Sequence, residues 1–120
     1  MMEQTILISL KRSRISIARK IIETLGNPSH ILLLVSPEQR TVAISSSDAM
    51  DKRAHKIPNP ARPREVDLHS KLLIQTIYRI SDDWDENCSY KVRGGYIKGE
   101  NIFRFHIDDA TPFIGGKNAN

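Results

Sequence analysis

The segment SYKVRGGYIKGENIFRF, Ser89 to Phe105, has the pattern of a β-hairpin and decides how the second half of the chain folds. Glycine and asparagine favour tight turns, so we place the turn at Lys98 to Asn101, where Ile97 faces Ile102. Further from the turn, the cross-strand pairs are Tyr96 with Phe103, Gly94 with Phe105, and Val92 with Ile107. These residues share one face of the hairpin, and their apolar character predicts that this face is buried.

The opposite face of the same hairpin is basic. It pairs Gly95 with Arg104, Arg93 with His106, and Lys91 with Asp108. An arginine offers a planar fork that suits phosphate or carboxylate, and a glycine lets a ligand or another backbone approach closely. Paired glycines are also common at β-bulges, and the spacing is not that of a P-loop, so the hairpin alone favours a structural role over an anion site. A register shift of one residue would turn Arg104 inward.

The first half of the chain predicts a strand, a helix and a hairpin. Thr5 to Ile17 has the apolar pattern of a strand, interrupted by the basic turn KRSR. In SIARKIIETLG the apolar residues recur every three or four positions, which predicts a helix that Ser16 caps and Gly26 ends. HILLLVSPEQRTVAISS then predicts a hairpin that turns at SPEQ. Its strand Ile31 to Val35 is apolar throughout, so we expect it to be central and covered on both faces.

The second half repeats the order of helix and hairpin after a long connection. The connection spans about residues 48 to 66, is basic and contains Pro58, Pro60 and Pro63. Apolar residues spaced by three and four between Asp67 and Trp84 predict a second helix. The order strand-helix-hairpin, then helix-hairpin, indicates a weak internal duplication. We predict one α+β domain, residues 1–120, with an antiparallel sheet, two helices and a frayed tail after residue 113.

Length and charge limit the class of protein. A chain of 120 residues can form one modest core, and its longest apolar run, Ile31 to Val35, is too short to cross a bilayer. The N-terminus lacks the pattern of a signal peptide, so we expect a cytoplasmic location and no membrane partner. A formal net charge of +4 gives a mild preference for anionic partners.

The sequence lacks motifs for catalysis and for metal binding. Its histidines do not have the spacing of metal ligands, and the acidic run at residues 82–86 lacks the later glycine and glutamate of a calcium loop. There is no nucleophile motif such as GxSxG, and the lone Cys88 cannot form an internal disulfide. We therefore expect a binding protein with no enzyme activity, no catalytic residue, no metal and no cofactor.

Two residues just before the hairpin favour a ligand. Trp84 offers an aromatic plane and Asn87 an amide, close in sequence to the arginines of the hairpin. A nucleotide needs a stacking surface for its base, hydrogen bonds for the edge of that base, and positive charge for its phosphates. Trp84 taken alone, at the end of a helix, would more often pack in the core.

Two long segments carry a resemblance to a known family. They are RISIARKIIETLGNPSHILLLVSPEQRTVAI and DENCSYKVRGGYIKGENIFRFHIDDATPF, and the resemblance covers about Arg14 to Phe113. The chain resembles the first Thoeris anti-defence family, small proteins of bacterial viruses and prophages. Members of that family are sponges, which sequester immune signals of the cyclic ADP-ribose type without degrading them. The resemblance thus implies a viral protein that acts in the host cytoplasm.

The resemblance also implies dimers and higher oligomers with nucleotide pockets at subunit contacts. An aromatic ring, an amide and arginines would hold the adenine and the phosphates. The residues of this chain that could fill those roles are Trp84 or Tyr78, Asn87, and Arg93 or Arg104. Some members also bind cyclic oligonucleotides through other arginines, for which the candidates here are Arg19 and Arg53. The apolar strand and the small number of covering helices independently predict a homo-oligomer.

Two other classes of protein remain open. RISIARKIIETLG followed by a hairpin also resembles the swapped-hairpin transcription regulators of the AbrB type, whose basic dimers bind DNA. Those domains are much shorter and do not account for the second helix and hairpin, so we do not expect nucleic acid as the partner. The third class is a viral inhibitor that binds a host protein directly and needs no small-molecule pocket.

Overall fold

A computed structural model of the protein describes residues 3–58 and 64–113. The strands are β1 (Glu3–Ser9), β2 (Arg14–Ala18), β3 (His30–Ser36), β4 (Thr41–Ser47), β5 (His55–Lys56), β6 (Glu65–His69), β7 (Ser89–Ile97), β8 (Ile102–His106) and β9 (Thr111–Phe113). The helices are α1 (Arg19–Thr24) and α2 (Lys71–Ser81), and a short 3₁₀ helix spans Ile107–Asp109. In this part of the chain no helix has the length and apolarity needed to cross a membrane. The predicted tail after residue 113 and the centre of the predicted connection, residues 59–63, lie outside the described residues.

The strands form one antiparallel sheet that curls into a nearly closed barrel. Their order is β5-β3-β4-β8-β7-β1-β2-β6, and β9 pairs with β7 beside this path. The predicted antiparallel fold with two helices is confirmed at this level, although the sheet makes up most of the described structure.

The core lies inside the barrel and follows from the alternation of apolar residues along the strands. In β1 and β2 the apolar side chains Ile6, Ile8, Ile15 and Ile17 point inward at every second position, because successive side chains of a strand point to opposite faces. Ser9 and Ser16 are buried as well. The largest fully buried side chains are Ile6, Ile8, Ile15, Ile17, Ile21, Ile22, Ile31, Ile44, Ile77, Phe103, Phe105 and Ile107. Burial of each such side chain contributes about 1.5–3 kcal/mol, so the barrel interior provides the main driving force for folding.

The predicted register of the β7–β8 hairpin is confirmed near its turn. Ile97 pairs with Ile102, and the pairing continues to Gly94 opposite Phe105. Beyond this point the prediction is wrong, because the chain leaves β8 at His106 and turns into the 3₁₀ helix. The predicted pairs Val92 with Ile107, Arg93 with His106, and Lys91 with Asp108 therefore do not form, and Lys91 pairs with Thr111 of β9 instead.

The first helix is shorter than predicted. Ser16 lies in β2, not at a helix N-cap, and its hydroxyl donates a hydrogen bond of 2.7 Å to Asp67 Oδ1. Helix α1 begins at Arg19, after Ala18, which makes no side-chain capping bond. The segment is a strand up to Ala18 because Ile15 and Ile17 alternate into the barrel core and β2 pairs with β6.

The second helix also begins later than predicted. Asp67 to His69 belong to β6, and α2 begins at Lys71 with Ser70 as its N-cap, whose hydroxyl accepts a hydrogen bond from the Leu73 amide. The helix ends at Ser81, followed by Asp82 with a φ of 74°, so Trp84 lies in the loop beyond it. The sequence analysis missed β6, in which Val66 and Leu68 are buried in alternation, because the helical spacing of α2 begins directly after it.

Strand β3 does not have the central, doubly covered position that we predicted. It pairs with β4 along its whole length, but with β5 only at His30 and Ile31. Ile31 is buried, whereas Leu34 is 41% exposed. The apolar sequence of this strand therefore does not reflect burial on both faces.

The two halves of the barrel share a twofold pattern of strand pairing. On the side away from β4, β3 pairs with β5 over two residues, and on the side away from β8, β7 pairs with β1 over seven residues. The hairpins β3–β4 and β7–β8 both end their turns in a left-handed residue, Arg40 and Asn101. The pairing of β4 with β8 is centred on Ala43 and Arg104. The sheet thus places the two hairpins side by side, and the internal duplication stays a prediction.

Gly94 lies where the backbone of β8 approaches β7 closely. A Cβ atom at this position would overlap the carbonyl oxygen of Arg104 and would lie 2.6 Å from the Cα of Phe105. Such contacts are far inside van der Waals distance, so only glycine fits here. The glycine therefore serves the approach of a neighbouring backbone. The β-bulge that the paired glycines suggested is not present, because Gly94 and Gly95 pair in unbroken register with Phe105 and Arg104.

Replacing Gly94 with alanine should destabilise the barrel, because the β8 backbone must move to admit the methyl group. We expect the free energy of unfolding to fall by about 1–3 kcal/mol in urea denaturation followed by circular dichroism. The matched control is Gly99→Ala in the hairpin turn, where a Cβ would meet no atom within 4 Å. Equal stability of the two variants would show that the close approach at Gly94 is not required.

Candidate functional site

Arg104 occupies the middle of the outer sheet surface. It pairs with Gly95 of β7, as predicted, and with Ala43 of β4 on its other side. Its side chain is 32% exposed, and its Nη2 lies 3.7 Å from Glu100 Oε1. An exposed ion pair of this length contributes little to stability, so an anionic ligand can displace Glu100 from the guanidinium at small cost.

Arg93 and His106 lie on the same outer surface, on neighbouring strands, and both are exposed. Arg93 pairs with Thr5 of β1 and lines an open cavity of about 300 Å³ together with Glu3 and Asp109. We call Arg93, Arg104 and His106 the basic surface of β7 and β8. It is solvated and cationic, and carboxylates lie near both of its arginines.

Trp84 lies in a different place, against the largest cavity among those described. Its ring stacks on Tyr90, with ring centroids 4.3 Å apart and an interplanar angle of 11°. The hydroxyl of Tyr90 accepts a hydrogen bond of 2.6 Å from the backbone N–H of Asp85. The cavity has a volume of about 410 Å³, and its lining includes Arg40, Asp82, Asp83, Trp84, Tyr90 and Asp108. We call it the aromatic cavity.

Arg40 fixes one wall of the aromatic cavity. Its Nε donates a hydrogen bond of 2.7 Å to Asp108 Oδ1, its Nη1 lies 3.3 Å from Asp82 Oδ2, and its Nη2 reaches the carbonyl oxygen of Ser81 at 3.4 Å. The hydrogen bond to Asp108 raises the pKa of Arg40 above its ordinary value. The sequence did not single out Arg40, because Asp108 is 68 residues away and no local pattern joins them.

The charge of the aromatic cavity decides what it can hold. Asp82, Asp83 and Asp108 outnumber Arg40, which is already engaged by two of them. A phosphate would be repelled here, whereas the hydroxyl and amino groups of a nucleoside can donate hydrogen bonds to carboxylates. The cavity therefore suits the base and ribose of a nucleotide better than its phosphates.

The other predicted residues lie apart from these two regions. Tyr78 is exposed on α2 and lines a cavity of about 180 Å³. Asn87 is exposed in the loop before β7, where its backbone N–H donates to Asp85 Oδ1. Arg19 begins α1, and its backbone N–H donates to the carbonyl oxygen of Arg64.

Arg53 is held by a carboxylate of its own loop. Its Nη2 lies 3.0 Å from Asp51 Oδ2, and its Nε lies 3.2 Å from Asp51 Oδ1. This hydrogen-bonded pair raises the pKa of Arg53 and lowers that of Asp51. An anion that binds Arg53 must therefore compete with a forked contact already present.

The structure of one chain does not bring the predicted binding residues into one pocket. Trp84, Arg93 and Tyr78 line three different cavities. Among the described residues there is no group of three or more His, Cys, Asp or Glu side chains that could hold a metal ion. Cys88 is partly buried and is not in a disulfide.

Comparisons with known proteins do not assign the chain to a family. No family model matches its sequence, and neither the curated proteins nor the solved structures contain a match. The function is therefore argued from the site itself.

Replacing Tyr90 with phenylalanine should lower stability by about 1 kcal/mol, because the Asp85 amide loses its acceptor while the ring stack is kept. Urea denaturation followed by the fluorescence of Trp84 measures the change. Tyr78→Phe is the control, since Tyr78 is exposed and should change stability by less than about 0.5 kcal/mol. A Tyr90→Phe variant as stable as the control would mean that the hydroxyl does not support the cavity wall.

Proposed function

We propose that this protein binds a cyclic nucleotide of the cyclic ADP-ribose type and holds it without cleaving it, as a sponge that protects a virus from host immune signalling. The structural observation that supports an anion contact is the position of Arg104, opposite Gly95 on the outer surface and on the same surface as Arg93. The chemistry of a sponge, retention without turnover, comes from the resemblance in sequence to the Thoeris anti-defence family.

The basic surface supports binding of the phosphates. A guanidinium donates two parallel hydrogen bonds to a phosphate, a stronger contact than its exposed pair with a carboxylate. Glu100 lies 3.7 Å from Arg104, so exchange of that carboxylate for a phosphate removes little stability from the protein. Arg93 adds positive potential to the same surface, and the His106 ring lies on the neighbouring strand.

The aromatic cavity supports binding of the base and ribose. Its lining includes Trp84 and Tyr90, two core residues whose largely buried rings stack on each other, and carboxylates that accept hydrogen bonds. Within one chain the two rings line the aromatic cavity, whereas Arg93 of the basic surface lines a different cavity. The proposal therefore includes self-association, in which the aromatic cavity of one copy and the basic surface of another hold the same nucleotide.

The first experiment identifies what the purified protein carries. Heating should release an unmodified cyclic nucleotide, detected by liquid chromatography and mass spectrometry. Recovery of a cleaved product would contradict retention without turnover. An affinity for DNA that falls steeply with salt would favour the AbrB-type regulator, and a co-purified host protein with no released nucleotide would favour the direct inhibitor.

Replacing Arg104 with alanine should weaken binding of a cyclic ADP-ribose isomer by roughly ten- to a hundredfold. The reason is the loss of charge-assisted hydrogen bonds, which contribute about 1.5–3 kcal/mol each, at about 1.4 kcal/mol per tenfold change in affinity. Calorimetric titration measures the affinity. A thermal melt of the same variant should match that of the wild type, because Arg104 is outside the apolar core.

The control for this variant is Arg79→Ala, which removes an exposed arginine from α2 on an element that does not carry the basic surface. It should bind as tightly as the wild type. Equal affinity of the Arg104 variant and the wild type would exclude Arg104 from the site. Failure of the wild-type protein to bind any cyclic nucleotide would overturn the proposal as a whole.

A further inference from the structure

Trp84 and Tyr90 cover each other's rings in the structure. Their ring centroids are 4.3 Å apart, and the two residues are only 8% and 7% exposed. A planar ligand stacks on a ring face that is free, whereas here each ring already uses one face for the other. The aromatic cavity is therefore closed to stacking as long as the two rings remain together.

The segment that carries Trp84 is short and is held at both ends. We call residues 82–85 the strap. At its start, Arg40 Nη1 lies 3.3 Å from Asp82 Oδ2. At its end, the backbone N–H of Asp85 donates a hydrogen bond of 2.6 Å to the Tyr90 hydroxyl. The tryptophan lies between these two contacts, so its position depends on both of them.

Asp82 is a strained residue at the start of the strap. Its φ is 74° and its ψ is −46°, and the N–H of Asp83 donates a hydrogen bond of 2.9 Å to the carbonyl oxygen of Ser81. This is a γ-turn with positive φ, a strained conformation that persists only where surrounding contacts hold it. The ion pair of Asp82 with Arg40 is such a contact.

The ion pair that holds the strap is weak enough to separate. The side chain of Asp82 is 76% exposed, and an ion pair with one exposed partner contributes little to stability. Arg40 also donates a hydrogen bond of 2.7 Å to Asp108, which does not involve the strap. Loss of the contact with Asp82 therefore releases the strap and leaves Arg40 anchored on the opposite wall of the cavity.

We propose that the strap is a cover of the aromatic cavity that opens at Asp82, and that the stack of Trp84 on Tyr90 is an autoinhibitory contact. When the ion pair with Arg40 separates, Asp82 relaxes to an ordinary backbone conformation and Trp84 leaves Tyr90. Each ring then has a free face, and a planar ring of a ligand enters between them.

The use of the opened cavity for a nucleotide base rests on the proposed function. The opening itself requires no ligand, so it is tested here on the nucleotide-free protein. An opening strap in a protein that binds no cyclic nucleotide would contradict the proposed function and not the strap.

Quenching of fluorescence by acrylamide measures the opening, because Trp84 is the single tryptophan of the chain. Arg40→Gln should raise the quenching constant by at least about twofold, because glutamine cannot form the ion pair that holds the strap. The matched control is Glu100→Gln, which removes the carboxylate of an exposed ion pair with Arg104 and should be quenched like the wild type. Circular dichroism establishes that each variant is folded at the temperature of the measurement.

Two substitutions of Asp82 isolate the strain. Asp82→Ala and Asp82→Gly lose the same carboxylate, but glycine adopts a positive φ without a steric cost and alanine does not. The strap of the alanine variant should therefore open more often, with a quenching constant at least about twofold above that of the glycine variant. Equal quenching of the two folded variants would show that backbone strain does not act on the strap, and would overturn the inference.

Hydrogen exchange of the wild type tests the opening without any substitution. The amides of Asp83 and Asp85 should exchange through a local opening that depends weakly on urea, whereas the amides of β7 should show the steep dependence of global unfolding. This difference supports the inference even if Arg40→Gln fails to fold. The same steep dependence in the strap and in β7, or wild-type quenching in a folded Arg40→Gln, would overturn it.

Discussion

The antiparallel pairing of β4 with β8 is the contact on which the rest of the structure depends. It joins two hairpins that lie far apart in the sequence, and it is centred on Ala43 and Arg104. The neighbouring pair of β7 and β8 is possible only because Gly94 has no side chain to meet the backbone of Arg104 and Phe105. The absence of a side chain at Gly94 therefore allows β8 to pair with β7 as well as with β4. This pairing holds Arg104 on the outer surface of the sheet.

The protein has two regions of opposite charge. The outer surface of β7 and β8 is cationic and open, whereas the aromatic cavity is acidic and walled by stacked rings. In the proposed function, the repulsion of phosphate from Asp82, Asp83 and Asp108 assigns the two ends of a nucleotide to different regions. Self-association and nucleotide binding are therefore linked in the proposed function, because in one chain the aromatic cavity and the basic surface lie at different places.

Local sequence predicted those parts of the fold whose physical causes are local. The turn at Lys98 to Asn101 and the register next to it follow from turn composition and alternation over a few residues. The same reasoning gave the wrong element for Ser16 and for Asp67, because their assignment depends on β2 meeting β6 across the barrel. The open edge of β3 was missed for the same reason, since an apolar run does not reveal which strands lie beside it.

The sequence by itself determined the antiparallel class of the fold, the outward position of Arg104 opposite Gly95, and the charge that favours anionic ligands. Only the tertiary structure decided that Trp84 stacks on Tyr90 beside Arg40, and that this cavity is acidic. The first set depends on side-chain alternation and turn chemistry, which act over a few residues. The second set depends on contacts such as that of Arg40 with Asp108, 68 residues apart, which form only when the barrel curls.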